Sequence, residues 1–454
     1  MHGTRDETIN HHQFTTALYN IMKIKSSRVL YMYIWAAAYT QAIVTPAMIS
    51  SVHLLLLLLL VSVTLTFEFD AGVSTQARYE AYKAQHAPPP NSLPVSRRPR
   101  SPLVTLPGTS ESEYHVVVGY GTPAQNLTVG FDAGAGGATL LHCNCKPGAF
   151  DPSRSSSVAH VPCGSPNCPL EACSGPSCAS TAVAKNGAVI SSVTVVTDTL
   201  TFSPSTPTTV DNFRANCMEM GGRTSDRSSG LLDLGRDSHS LPSRAPSSPD
   251  TAAFSYCLPT FRADRGFLSI GAPLPGPGRK VSYTPLRSNA ALPNSYFVRL
   301  AGLSLGTGRP VIPVPAGDAL MALRTTFTYL MPETYAALRD QFKEQMAQYP
   351  VAPPMGFLDT CYNFTGLRKI DVPPVTLTFD SGASLELGIR QMMYFEDRDY
   401  VFSAGCLAFA APAWAVYPPG VAAVIGTLAQ ETTEVVYDVR ADMVGLVPDR
   451  CVSW

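Results

Sequence analysis

Past residue 110 the sequence reads as two copies of one plan. Tyr114 and Tyr296, Asp132 and Ala322, and the apolar pairs Leu231-Leu232 and Val424-Ile425 are all separated by nearly one interval, about 180 to 190 residues, the drift left by an old internal duplication. Such a chain folds as two similar lobes. What fills each copy sets the element type: short runs rich in Val, Thr, Tyr and Phe, at 114–119, 189–202, 296–302, 375–379 and 435–437, are separated by Gly, Pro, Ser and Asp clusters. That is the pattern of strands and turns. A helical period occurs at 333–346, where Tyr335, Leu338, Phe342 and Met346 recur behind Pro332. The expectation is a mostly β molecule with an N-terminal lobe over 111–275 and a C-terminal lobe over 276–454, the crossing falling in the Gly/Pro-rich stretch 271–277.

At 454 residues the chain is long enough to bury a large core. Its formal charge is −1 and only 15% of residues are charged, so no basic face is visible in the sequence and no nucleic-acid partner is expected. All 11 cysteines lie between Cys143 and Cys451, many closely spaced, which reads as a disulfide framework in an oxidising compartment with one thiol left over. The leader, residues 1–70, agrees. An unbroken leucine run from Leu54 to Leu60, continued by Val61-Ser62-Val63-Thr64-Leu65, has the length of a secretory signal's apolar core. Residues 42–67 are also long enough for a membrane anchor. Either way the expected location is extracellular or another secretory-pathway compartment, vacuole or cell wall included. Residues 71–110 are polar and proline-rich and read as a prosegment or linker.

The chemistry centres on Val129-Gly130-Phe131-Asp132-Ala133-Gly134-Ala135, where an apolar strand delivers a carboxylate into a turn. This resembles the first catalytic motif of the pepsin-like aspartic peptidases, Asp-Thr-Gly-Ser: Asp132 and Gly134 match, and Ala133 and Ala135 depart. The other half, usually Asp-Ser-Gly-Thr-Thr-Phe-Thr-Tyr-Leu, resembles the stretch from Ala322 to Leu330. Its tail from Thr325 onward is intact, while Ala322, Leu323 and Arg324 stand where Asp, Ser and Gly belong. Further matches, among them Phe150-Asp151-Pro152-Ser153, Phe254-Ser255-Tyr256-Cys257-Leu258-Pro259 and Val435-Val436-Tyr437-Asp438, are similar to the plant nepenthesin-like branch of peptidase A1. The resemblance implies a two-lobed acid-protease fold with a central cleft for an extended peptide or protein, no cofactor or metal, a monomer, and disulfides Cys257–Cys451 and Cys361–Cys406.

It also implies a defect. Amide hydrolysis in this family takes two carboxylates sharing one proton, one acting as acid and one as base. Here Asp132 is the surviving member and the second position is degenerate at Ala322. Without a partner, Asp132 has no neighbour to raise its pKa, and the Arg324 guanidinium is expected to hold it ionised. The family's flap tyrosine is missing too, since no tyrosine lies between Tyr120 and Tyr256. The expectation is an aspartic endopeptidase by descent that cleaves poorly or not at all. The alternative is a secreted binding or inhibitor protein of the glycoside hydrolase inhibitor kind.

Other motifs carry blander readings. Asp318 could fill the vacant place by a four-residue strand shift, but Ser and Gly are missing there as well. Gly302-Leu303-Ser304-Leu305-Gly306 matches a nucleophile elbow, yet runs into a turn where that motif needs a helix. Cys163, Cys168, Cys173 and Cys178 have spacing that zinc accepts, but without a histidine cluster they read as disulfides. Asn126-Leu127-Thr128 and Asn363-Phe364-Thr365 are N-glycosylation sequons and are expected at the surface.

Overall fold

The computed structural model describes residues 80, 87–89, 92–97 and 113–451, except 135–137, 145–146, 169–172, 174, 184–188, 203–207, 221–227, 246–249, 261–265, 276–279, 308–310, 398–399 and 412–418. The signal or anchor, most of the linker, Ala135 and the flap tip fall outside these residues. The chain divides into two compact units, and the second, His86–Trp454, holds the fold described below.

Among the described residues this unit has four sheets, with 14, five, four and three strands. The largest runs from Ser282–Pro285 at one edge through Met443–Val447, Glu434–Asp438, Phe254–Cys257 and Gly266–Ile270 into the first lobe. Residues past 275 thus complete the same sheet as the first lobe, so sheet membership does not follow sequence order. The second lobe's own sheets begin at Phe297–Val298. Strand burial follows the two-residue period: in Val375–Phe379 the side chains of Val375, Leu377 and Phe379 are buried, and the threonines between them are half-buried. The longest helix, Pro332–Gln345, starts on a proline whose missing N–H costs nothing there, and packs Tyr335, Leu338 and Phe342 inward. Gly302 to Leu305 lie on the strand Leu300–Leu305, which leads into a bend and not a helix.

Where the lobes meet, Phe254, Tyr256, Tyr296 and Tyr437 form one aromatic cluster. Phe254 and Tyr437 stack at 4.4 Å and Tyr296 meets Tyr437 at 4.6 Å.

Part of the stretch read as linker is a strand. Leu93–Arg97 lies between Gly266–Ile270 and Tyr114–Tyr120 in the large sheet, with Leu93, Val95 and Arg97 turned inward. The Arg97 guanidinium donates to Glu113 at 2.7 Å and to the Thr260 carbonyl, and lies 3.9 Å from Glu431. Arg97 is therefore buried and paired.

Five disulfides brace the unit: Cys143–Cys217, Cys163–Cys173, Cys168–Cys178, Cys257–Cys451 and Cys361–Cys406. Ten of the 11 cysteines are thereby spent, and by elimination Cys145, outside the described residues, is the odd one. Among the described residues no helix is long and apolar enough to cross a membrane.

Candidate active site

The two halves of the site can be placed against each other by register. In the first lobe Gln125–Asp132 runs parallel to Gly230–Asp233, with Phe131 opposite Leu232 and Asp132 opposite Asp233. In the second lobe Asp318–Met321 runs parallel to Val421–Ile425, with Leu320 opposite Val424 and Met321 opposite Ile425. One residue further on, Ala322 donates its N–H to the Ile425 carbonyl at 3.1 Å and falls level with Gly426. Ala322 thus occupies in the second lobe the place of Asp132 in the first, and presents a methyl group.

The loop around that methyl group is otherwise intact. Thr325 and Thr326 offer their carbonyls to the N–H groups of Thr427 and Leu428 at 2.7 and 3.1 Å, and the Gly426 N–H reaches the Thr328 hydroxyl at 3.3 Å. Gly426 is required by this contact: a Cβ there would sit 2.3 Å from the Phe327 carbonyl oxygen. Beneath the loop the fully buried Gln430 donates from Nε2 to the carbonyls of Ala322 and Ile425, both at 2.9 Å, and of Gly426 at 3.2 Å. Its own Oε1 accepts from the Tyr256 hydroxyl. On the first side Gly134 packs so closely on Ser295 that a Cβ would come within 2.5 Å of the Ser295 hydroxyl. Asp233 braces its own turn by accepting from the Gly235 N–H at 2.8 Å.

Gln430, Ser295 and Asp233 were not picked out as site residues from the sequence. The one usable signal was a glutamine inside the apolar run that follows Val424-Ile425-Gly426.

Arg324 does reach Asp132, Nη1 to Oδ2 at 3.9 Å, bringing the two loops together through an ion pair. It does not hold the carboxyl below its ordinary range as expected. Burial pushes the Asp132 carboxyl up to about 6, against the opposing pull of the Arg324 charge and the Ala133 N–H. The side chain is only 13% exposed, and at 3.9 Å the guanidinium is too far for a hydrogen bond that would offset desolvation. A second carboxylate is therefore not needed to raise this group. Asp318 is not available to supply one: it sits at the far end of its strand, bound by Arg299 at 2.9 and 3.1 Å.

The strands Ala179–Val183 and Val189–Phe202 pair antiparallel, and their Val183, Val189 and Ile190 are 59, 52 and 53% exposed. Asn126 and Asn363 are both exposed. A separate cavity of about 340 Å³, lined by Arg236, Ser243, Tyr296 and Arg440 among others, does not include Asp132.

Comparison with known proteins places this geometry. Residues 114–272 match the family described as Xylanase inhibitor N-terminal, and residues 295–448 match Xylanase inhibitor C-terminal. An aspartyl protease family protein of Arabidopsis thaliana is 32% identical over 360 residues, covering 74% of this chain and 72% of its own. Aspartic proteinase nepenthesin-2 of Nepenthes gracilis is 26% identical over 364 residues, 75% of this chain and 78% of its own. The crystal structure of basic 7S globulin from soybean superposes with a TM-score of 0.60 at 17% identity, over 78% of this chain and 93% of that one, a likeness of fold. Two lobes with matching parallel registers, a surviving Asp-x-Gly turn and these relatives together make this chain a member of the plant pepsin-like (A1) aspartic peptidase family.

Proposed function

We propose that this member of the family holds an extended peptide in its cleft without hydrolysing it at an appreciable rate. The observation behind this is the methyl group of Ala322 in the register position of Asp132, with Arg324 two residues on and in contact with the surviving carboxyl. Water attack on an amide takes a base to accept the water's proton and an acid to protonate or polarise the carbonyl, and one carboxyl does not fill both roles in a single step. Loss of one member of such a unit costs on the order of 10⁴ to 10⁶ in rate. Binding is less affected, because an extended ligand is held by backbone hydrogen bonds of the strand type. The disulfides and the leader support a location in the secretory pathway.

The test is acidic cleavage of a denatured protein by the purified chain. No pepstatin-sensitive cleavage is expected, and its appearance would overturn the reading. The triple variant Ala322→Asp, Leu323→Ser, Arg324→Gly places a carboxyl on a loop that is already braced, and is expected to gain detectable turnover.

A second reading has one observation in its favour: both matching family descriptions are of xylanase inhibitors. On it, the ligand is a folded glycoside hydrolase. Inhibition of a xylanase panel at stoichiometric protein supports it, and retained xylanase activity at a tenfold excess of this protein counts against it.

A further inference from the structure

We infer that Asn363 carries an N-linked glycan whose first sugar covers the exposed Val351, while Asn126, the asparagine of the other sequon, stays bare in most molecules. The site lies outside the peptide-binding reading and needs only passage of the chain through the secretory pathway.

Both sequons have an exposed asparagine, but the chain bends at one and runs straight at the other. Asn363 ends the strand Cys361–Asn363, and its Oδ1 accepts from the Thr365 N–H at 2.9 Å, the local turn that an asparagine side chain favours. Phe364 between them is fully buried, its ring 5.3 Å from that of Tyr349, which pins the turn from beneath and leaves Asn363 and Thr365 both exposed. With Oδ1 engaged, Nδ2 is the atom of the amide left to react, and the hydrogen bond at Oδ1 draws electron density from it and eases loss of a proton. At the first sequon Asn126 and Thr128 lie within the strand Gln125–Asp132, where the Thr128 N–H goes to the Ser229 hydroxyl at 3.2 Å and its carbonyl accepts from the Ser229 N–H at 2.6 Å. The N–H that such a turn would use is taken there, and Thr128 is half-buried.

In the transfer a bond forms between Asn363 Nδ2 and C1 of the first N-acetylglucosamine of a lipid-linked pyrophosphoryl oligosaccharide. The C1–O bond to the pyrophosphate breaks, the lipid pyrophosphate leaves with the bonding pair, and Nδ2 gives up one proton. The sugar then has an apolar surface to cover. Asn363 donates its N–H to the Pro350 carbonyl at 2.8 Å and Tyr362 is bridged to Val351, so the sequon and the stretch 350–352 run side by side. Val351 is 81% exposed, more than any other large apolar side chain among the described residues, and Pro353 and Pro354 beyond it are exposed as well. Paired chains lie about 4.8 Å apart, a gap that one sugar ring bridges, and the acetyl methyl and ring face of that sugar give Val351 an apolar partner.

The experiment expresses the full chain in cultured plant cells and reads the occupancy of each sequon by mass spectrometry of its glycopeptides. Occupancy at Asn363 is expected to exceed that at Asn126 about fivefold or more. Asn126→Gln leaves the glycan content largely unchanged, and Thr365→Ala, which keeps the asparagine but removes the hydroxyl of the sequon, abolishes it at Asn363. The Thr365→Ala protein is expected to self-associate, read by light scattering, at about half the wild-type concentration or lower, and adding Val351→Ser restores the wild-type behaviour. A bare Asn363 or equal occupancy of the two sequons overturns the assignment, and so does a glycan content that falls away with Asn126→Gln. Equal scattering by the wild type and Thr365→Ala overturns the covering of Val351. Should Thr365→Ala not fold, Asn363→Gln takes its place in both comparisons.

Discussion

A carboxyl whose pKa sits near 6 in the folded chain against the usual 3.8 binds its proton more tightly folded than unfolded. Between those values the native state of this protein carries the extra proton at Asp132, so the contribution of this group to stability is lost as pH rises through the window. Asp132→Asn removes that loss. At pH 7.5 the variant is expected to be more stable than the wild type by on the order of 1 to 3 kcal/mol, and at pH 4 the difference should largely vanish. Calorimetry at the two pH values reads this, and a variant less stable at pH 7.5 would mean that the Arg324 contact outweighs burial. The repeat in the sequence pairs Asp132 with Ala322, and in the structure the two hold corresponding register positions with Arg324 reaching Asp132. What the sequence did not reveal is the upward direction of the Asp132 shift, because neighbours in sequence say that a guanidinium is close but not that the carboxyl beneath it is 13% exposed and 3.9 Å from it.

At the scale of the element, the loops are held from behind. Residues Thr427–Gln430 form a single helical turn in which all four residues are buried, and it carries the N–H groups of Thr427 and Leu428 and the Gln430 side chain under the degenerate loop. The apolar pairs that mark this crossing in each lobe were legible as a repeat, since a two-residue apolar turn leaves a pattern. Gln430 was not, because its role depends on three carbonyls, one of them, Ala322, 108 residues away. Gly426 gives the sharper prediction. The atoms that a new Cβ would strike, the Phe327 and Thr326 carbonyl oxygens and the Phe327 carbonyl carbon at 2.3 to 2.6 Å, are all backbone, so no side chain can swing aside. Gly426→Ala is expected to lower stability by about 3 kcal/mol or more. Denaturant unfolding measures it, and a loss under about 1 kcal/mol would show that the two loops are not locked at this point.

At the scale of the whole molecule, the strand Leu93–Arg97 ties the start of the folded unit to two strands of the first lobe and, through Arg97, to Glu431. Its stretch looked like a linker because it offers only two apolar inward positions, Leu93 and Val95. The third is Arg97, whose burial is tolerable only because Glu113 and Glu431 meet it inside. Glu431 also accepts from the Tyr114 hydroxyl at 2.7 Å across 317 residues of sequence, a closure that no local pattern announces. The lobes themselves were readable because the duplication repeats on a fixed interval; this clasp is made once. Desolvation opposes the charge on Arg97, but the fields of Glu113, Tyr114 and Glu431 outweigh it, and the guanidinium stays protonated. Arg97→Ala would remove the cation that hydrogen-bonds Glu113 and lies 3.9 Å from Glu431, and a broken buried pair of this kind costs about 3 to 5 kcal/mol. Arg97→Ala with Glu113→Gln should recover part of that loss, since the buried charge that Arg97 had hydrogen-bonded is then gone. Thermal unfolding of the two variants distinguishes the cases. If the double variant is no more stable than the single one, the cluster acts through the packing of the Arg97 stem, and the strand is held by its backbone ladder to Tyr114–Tyr120 and Gly266–Ile270 alone.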